Sequence, residues 1–216
     1  MKNKIRIEPI NYYSPDKSVV LDAAKRLTKG ELIIAPTETR YGLLVRADSI
    51  ESLTQLYEIK KRQMSLPTAI FVNSLSEIAD YGVMNQAATK FAKEFLPGPL
   101  TLVLKAVKDF DEPLVIDNKI GIRWSSAPFI EMLLKEIEFP ITATSANLSG
   151  DKECESIEEI CRIWKGKIGL YVDSGSLNKT TSTVIDLSLS APKVLREGAI
   201  SVVDIKTCIK SLCNYE

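Results

Sequence analysis

Hydroxyl side chains crowd two short runs about a hundred residues apart, Pro36-Thr37-Glu38-Thr39-Arg40-Tyr41-Gly42 and Thr144-Ser145-Ala146-Asn147-Leu148-Ser149-Gly150. Cations stand between and beyond them at Lys60, Arg62, Arg123 and Arg196. Hydroxyls, guanidinium groups and ammonium groups together bind phosphates and carboxylates. Histidine is absent, which excludes a Ser-His-Asp or Cys-His mechanism, a histidine-held zinc and an imidazole base. What remains is a toolkit for aligning anionic substrates and neutralising their charge.

Each feature also has a purely structural reading. Thr144-Ser145-Ala146-Asn147 reads as a turn whose side chains bond the local backbone, and Lys60-Lys61-Arg62 as solvated charges at a helix C-terminus. Arg196 pairs with Glu197 on a surface in the simplest reading. Arg123 resists such treatment. It follows Ile120 and Ile122 and alternates onto the face of Gly121, where a buried charge needs a partner.

The elements that must position these residues follow from periodicity. Both hydroxyl runs follow apolar, β-branched segments, Leu32-Ile33-Ile34-Ala35 and Ile141-Thr142-Ala143, so both are expected where a buried strand leaves its sheet. Ligands bind at such strand ends in open α/β sheets. Helices are predicted over 18–29, 49–61, 76–81, 86–95 and 128–137, with Ser49 an N-cap and Pro97-Gly98-Pro99 a firm stop. Strands are predicted over 68–72, 100–106, 120–124, 168–172 and 183–187. This alternation predicts an α/β fold with helices on the sheet faces. The polar run 173–182 reads as a functional loop, because strand-like sequence resumes directly after it.

Composition narrows the class. With 216 residues, 45% hydrophobic and 26% charged, the chain can bury one core without a metal or disulfide staple. Lys+Arg and Asp+Glu both total 28, which argues against a general nucleic-acid or membrane binder and confines any cationic function to a cleft. Cys154, Cys161, Cys208 and Cys213 follow no zinc-ligand or CxxC spacing and read as reduced thiols. The charged N-terminus and the lack of an 18-residue apolar run point to a cytoplasmic protein with no membrane segment.

Taken in order, the motifs resemble those of the YrdC-type threonylcarbamoyl-adenylate synthase family. They are Pro36-Thr37-Glu38-Thr39-Arg40-Tyr41-Gly42-Leu43, Lys60-Lys61-Arg62 with Pro67, Pro97-Gly98-Pro99-Leu100-Thr101, Gly121-Ile122-Arg123, Thr144 to Gly150, Ser182-Thr183-Val184-Ile185-Asp186 and Arg196-Glu197-Gly198. The resemblance implies a single domain over residues 1–216, with its motif-bearing core at about 18–200. Its fold would be a twisted mixed β-sheet flanked by helices, with a concave substrate cleft. The implied reaction joins L-threonine, bicarbonate and ATP into threonylcarbamoyl-AMP and pyrophosphate, the first step of N6-threonylcarbamoyladenosine formation in tRNA. Thr37, Thr39, Tyr41, Arg123 and Ser182 would then hold threonine, and Lys60, Arg62, Thr144, Ser145, Asn147 and Arg196 the ATP. Lys60, Arg62 and Arg123 would serve catalysis. Magnesium would arrive with ATP, held by phosphates and water rather than by a protein cage. Direct RNA contact and tRNA-modification partner proteins are further expectations.

The chain departs from the family pattern in places. Lys60-Lys61-Arg62-Gln63 replaces the usual Lys-Gly-Arg-Pro, and Leu66 the usual Asn before the Pro. Phe71 stands at a common His, Arg123-Trp124-Ser125 at Arg-Val-Pro, and Arg40, read as solvent-directed, at a common Val. The alternative reading is a paralogue of the same fold that binds nucleotide or RNA and serves another acceptor, as in the carbamoyl-transfer domains of hydrogenase maturation.

Overall fold

The computed structural model describes residues 5–108, 110, 113–164, 166–177 and 180–213, the last without its side chain. The charged residues 1–4, positions 178–179 of the polar run and the Cys213 thiol lie outside the described residues. The strands are β1 (Ile7–Pro9), β2 (Ile33–Pro36), β3 (Tyr41–Leu44), β4 (Ala69–Val72), β5 (Leu100–Lys105), β6 (Val115–Ile116), β7 (Lys119–Trp124), β8 (Ile141–Ser145), β9 (Leu170–Asp173), β10 (Thr183–Asp186) and β11 (Lys193–Arg196). The helices are α1 (Lys17–Thr28), α2 (Ile50–Lys60), α3 (Leu75–Tyr81), α4 (Gln86–Phe95), α5 (Pro128–Lys135), α6 (Ile157–Trp164) and α7 (Val202–Cys213).

One mixed sheet runs in the order β1-β9-β2-β3-β8-β4-β7-β5-β10-β11, with β6 paired to β7. Its strands β2 and β3 are buried along their whole length because helices cover both faces. Ile33 and Ala35 pack with Val20, Ala23 and Leu27 of α1 and with Phe129, Ile130 and Leu133 of α5. Their neighbours Leu32 and Ile34 point the other way, into a core shared with Leu53 and Leu56 of α2, Phe91 of α4 and Trp164 of α6. Each such fully buried side chain contributes about 1.5–3 kcal/mol of transfer free energy. The helices begin where capping side chains dictate: Asp16, Ser49, Ser74 and Asn85 each accept a hydrogen bond from a first-turn amide of α1, α2, α3 and α4.

The predicted α/β architecture is present, and the predicted elements fall within a residue or two of those observed. One expectation needs correction. The first hydroxyl run does not leave the sheet after β2 but turns back at once into β3, with Pro36 opposite Tyr41 and Ala35 opposite Gly42. β3 then pairs with β8, Gly42 opposite Ser145 and Leu43 opposite Thr144. The hairpin thereby brings the two runs side by side at one end of adjacent strands.

Candidate active site

Within the first run the side chains form a directed chain of hydrogen bonds. The Thr37 amide and hydroxyl both donate to the Arg40 carbonyl, at 3.1 and 2.6 Å. With its proton so committed, Thr37 Oγ1 must accept from Thr39 Oγ1, 3.0 Å away. Thr39 Oγ1 in turn accepts from Arg123 Nη2 at 2.8 Å. The Tyr41 hydroxyl donates to the Gly175 carbonyl at 2.6 Å and accepts the Ser174 amide at 2.9 Å, which fastens the start of the polar loop. Burial pushes that hydroxyl up to about 12, so it remains a neutral donor.

Arg123, only 7% exposed on β7, has the partner its burial demands. Its Nε and Nη2 donate to a single oxygen of Glu38, at 3.1 and 2.7 Å. The other Glu38 oxygen accepts the Ser125 hydroxyl. The guanidinium also lies 5.4 Å from the centre of the Phe71 ring. Phe71 thus backs the arginine and offers no proton-transfer group.

The second run is braced from behind by the end of α2. Lys60 is buried, and its ammonium donates to the carbonyls of Ser145 and, at 2.9 Å, Asn147. Burial pulls the Lys60 ammonium down to about 7, and the charge of Arg62 acts in the same direction. Asn147 Nδ2 donates to the carbonyls of Leu148 and Asp151, each at 2.8 Å, while its Oδ1 accepts the Ser145 hydroxyl at 2.5 Å. Every Asn147 polar atom is therefore spent on the shape of the loop after β8.

Two further arginines, Arg62 and Arg196, stand near enough for their charges to repel. Arg62 curls onto its own loop, donating to the carbonyls of Leu66 at 3.2 Å and Pro67 at 2.8 Å. Tyr57 donates to the same Leu66 carbonyl at 2.7 Å. Leu66 thus serves the loop through its backbone carbonyl. Arg196 on β11 grips Ser182 by its carbonyl, at 2.9 Å from Nη2, and by its hydroxyl, also 2.9 Å. Gly198 permits this arrangement, because a side chain there would meet the Thr181 carbonyl oxygen at 2.3 Å.

These pieces enclose a cleft of about 550 Å³, the size of a small-molecule site. Thr37, Thr39, Tyr41, Arg62, Arg123, Thr144, Ser145, Ser182 and Arg196 line it. Lys60 and Asn147 do not; they support its wall. Arg40 is not solvent-directed: it lines the cleft, donates to the Leu177 carbonyl at 2.9 Å and pairs with Glu153 and Glu155 at 3.5 and 3.4 Å. The cleft lining also holds a pair that sequence reasoning missed, Lys119 and Asp186, 2.8 Å apart. Burial raises the Asp186 carboxyl, but bonds from Lys119 and Ser188 outweigh it and hold the group below its ordinary value. Glu38 was also missed as a functional residue, although it stands inside the first run. Among the described residues no cluster of His, Cys, Asp and Glu suits a metal ion, and no helix is long and apolar enough to cross a membrane.

Comparison with known proteins places the geometry in context. Residues 25–198 match the family designated Sua5_yciO_yrdC and described as "Telomere recombination". A Methanocaldococcus jannaschii protein with a provisional threonylcarbamoyl-AMP synthase name is 32% identical over 212 residues, covering 96% of this chain and 99% of its own length. The threonylcarbamoyl-AMP synthase of Bacillus subtilis is 32% identical over 194 residues, 88% of this chain but 56% of its own. In structure, Pyrococcus abyssi Sua5 in complex with L-threonine superposes with a TM-score of 0.85 at 30% identity, over 95% of this chain and 61% of that one. Escherichia coli YciO superposes with a TM-score of 0.83 at 26% identity, over 93% and 98%.

Proposed function

The chain belongs to the Sua5/YciO/YrdC family, and from that premise we propose that it is an L-threonylcarbamoyladenylate synthase acting in threonylcarbamoylation of tRNA adenosine. The observation that carries the reading is a single cleft in which the Arg123 guanidinium, the Thr37–Thr39 hydroxyl pair and Ser182 lie within one enclosure with Arg62, Ser145 and Arg196. That enclosure suits an amino acid beside a polyphosphate. The threonine-bound Sua5 structure supports the amino-acid half of the reading, and the names of the Bacillus and Methanocaldococcus relatives the reaction. We read residues 1–216 as one domain of this kind.

In this reading the threonine amine adds to CO2 and gives up a proton, or displaces water from bicarbonate as its C–O bond breaks, and either route gives a carbamate. A carbamate oxygen then attacks the α-phosphorus of ATP, forming one P–O bond while the bond to pyrophosphate breaks. Arg123 binds the threonine carboxylate or the carbamate through the N–H groups of Nη1, its Nε and Nη2 being held by Glu38 and Thr39. Thr37, Thr39 and Tyr41 line the threonine side, with Ser182 closing it. Arg62, Arg196, Thr144 and Ser145 hold the nucleotide, whose phosphates carry the magnesium ion as part of the substrate. Lys60 and Asn147 act on ATP through the wall they brace. No side chain in the cleft is placed as a dedicated imidazole-like base, so rate comes from alignment and charge neutralisation. The product is water-labile and passes to a tRNA-modifying partner. Mass spectrometry of a reaction with 13C-bicarbonate tests this directly. Threonylcarbamoyl-AMP carrying one heavy carbon supports the reading; adenylated or carbamoylated products of another acceptor overturn it.

A further inference from the structure

Arg123 spends two of its three nitrogens on the protein before any ligand arrives. Nε and Nη2 converge on one oxygen of Glu38, and Nη2 also reaches Thr39. The two N–H groups of Nη1 have no partner among the described residues. Glu38 is itself fixed from the rear, because Ser125 donates to its second oxygen while Ser125 Oγ accepts the Ala127 amide at the start of α5, 3.2 Å away. The Glu38 side chain is 8% exposed and does not line the cleft. A carboxylate so enclosed cannot retreat from the guanidinium to make room for a substrate.

We propose that Glu38, locked by Ser125, is the positioning residue that sets the orientation of Arg123, so that Nη1 alone is presented to the anionic end of the amino-acid substrate. The proposal rests on the reading of Arg123 given above. The Ser125 hydroxyl joins the glutamate to the start of α5, donating to one and accepting from the other. Substrate recognition is then a relay from Ala127 through Ser125 and Glu38 to Arg123. Thr39 completes the clamp on the guanidinium's other edge, and its own proton is committed to Thr37. The clamp leaves the arginine nearly charge-compensated, so it selects an anion by donor geometry more than by net attraction.

The test is steady-state pyrophosphate release, with separate KM values for threonine and ATP, in Glu38→Ala, Glu38→Gln, Ser125→Ala, Arg123→Ala and the Glu38→Ala/Arg123→Ala double variant. Glu38→Ala is expected to raise the threonine KM about tenfold or more while the ATP KM stays within about twofold. Ser125→Ala, which frees one Glu38 oxygen, is expected to raise it about two- to fivefold, and Glu38→Gln, which keeps an acceptor, to restore it to within about threefold of the parent. Adding Glu38→Ala to Arg123→Ala should change the threonine KM no further, because the glutamate acts only through the arginine. A matched rise in both KM values, or additive effects in the double variant, overturns the proposal. So does a fall in the threonine KM, which would make Glu38 a competitor for Arg123. If Arg123→Ala leaves the threonine KM unchanged, it is the reading of Arg123 that fails, whatever Glu38 does.

Discussion

Lys60 invites a test in which stability and pH report on the same atom. Its ammonium donates to two buried-loop carbonyls, those of Ser145 and Asn147. Lys60→Met keeps most of the aliphatic stem but strands both carbonyls, at about 1–3 kcal/mol each, so a net loss of about 2–4 kcal/mol is expected. For a chain of this size that lowers the melting temperature by about 5–10 °C. Protonation adds a second signature. Burial pulls Lys60 down to about 7 in the folded protein, whereas an unfolded lysine keeps its proton to about 10.4. Above pH 7 the unfolded chain therefore binds one proton more than the folded one, and unfolding free energy rises with pH, by at most about 1.4 kcal/mol per unit from this group. Below pH 7 both states hold the proton and the contribution is flat. Urea denaturation of wild type and Lys60→Met at pH 6, 7, 8 and 9 should show a gap that is constant from 6 to 7 and widens from 7 to 9. A gap that stays constant across the whole range, or a variant as stable as the parent, would refute the buried-brace account.

Other predictions follow from single contacts. Lys61 ends α2 in the left-handed region at φ 50°, which favours glycine; Lys61→Gly should stabilise the protein by about 0.5–1 kcal/mol in denaturant titrations and leave turnover unchanged. Arg40→Val removes the ties to Leu177, Glu153 and Glu155, so amide hydrogen exchange should quicken in 174–177 and 153–156 and not in β2. Gly198→Val forces its side chain against the Thr181 carbonyl and the Ser182 backbone, and kcat/KM should drop about tenfold or more in an otherwise folded protein. Phe71→His should leave the fold intact and shift the pH profile of turnover near neutrality, because an ionisable ring then faces Arg123.

Much of this arrangement was legible in the sequence because its signals were local. Ser49 capped the helix that ends at Lys60, Pro97-Gly98-Pro99 stopped α4, and alternation around Gly121 put Arg123 on the cleft face. The hairpin at Thr37–Arg40 was not seen, since residues 37–40 contain none of the glycine that marks common tight turns; Thr37 supplies the closure with its own hydroxyl. The Ile116-Asp117-Asn118-Lys119 turn carried a readable sign, two turn residues at positive φ, which would have located β6 and with it Lys119. Ile157, Ile160 and Trp164 have helical spacing and would have revealed α6. Lys60 was assigned to the phosphates by the resemblance of its motif. Only the three-dimensional path of the loop after β8 shows that its ammonium is enclosed by carbonyls. Glu38 was hidden for the opposite reason, since nothing in its neighbours foretells that Ser125 and Arg123, far along the chain, will share its carboxylate.

The central claim is that one cleft couples an amino acid and bicarbonate to ATP. Pyrophosphate release by the purified protein, with threonine and bicarbonate each omitted in turn and serine offered in place of threonine, addresses it most directly. The account predicts release that requires both and falls sharply with serine. Nucleotide binding with release that is indifferent to threonine or to bicarbonate would contradict it, and would mark a paralogue that kept the ATP site and changed its acceptor.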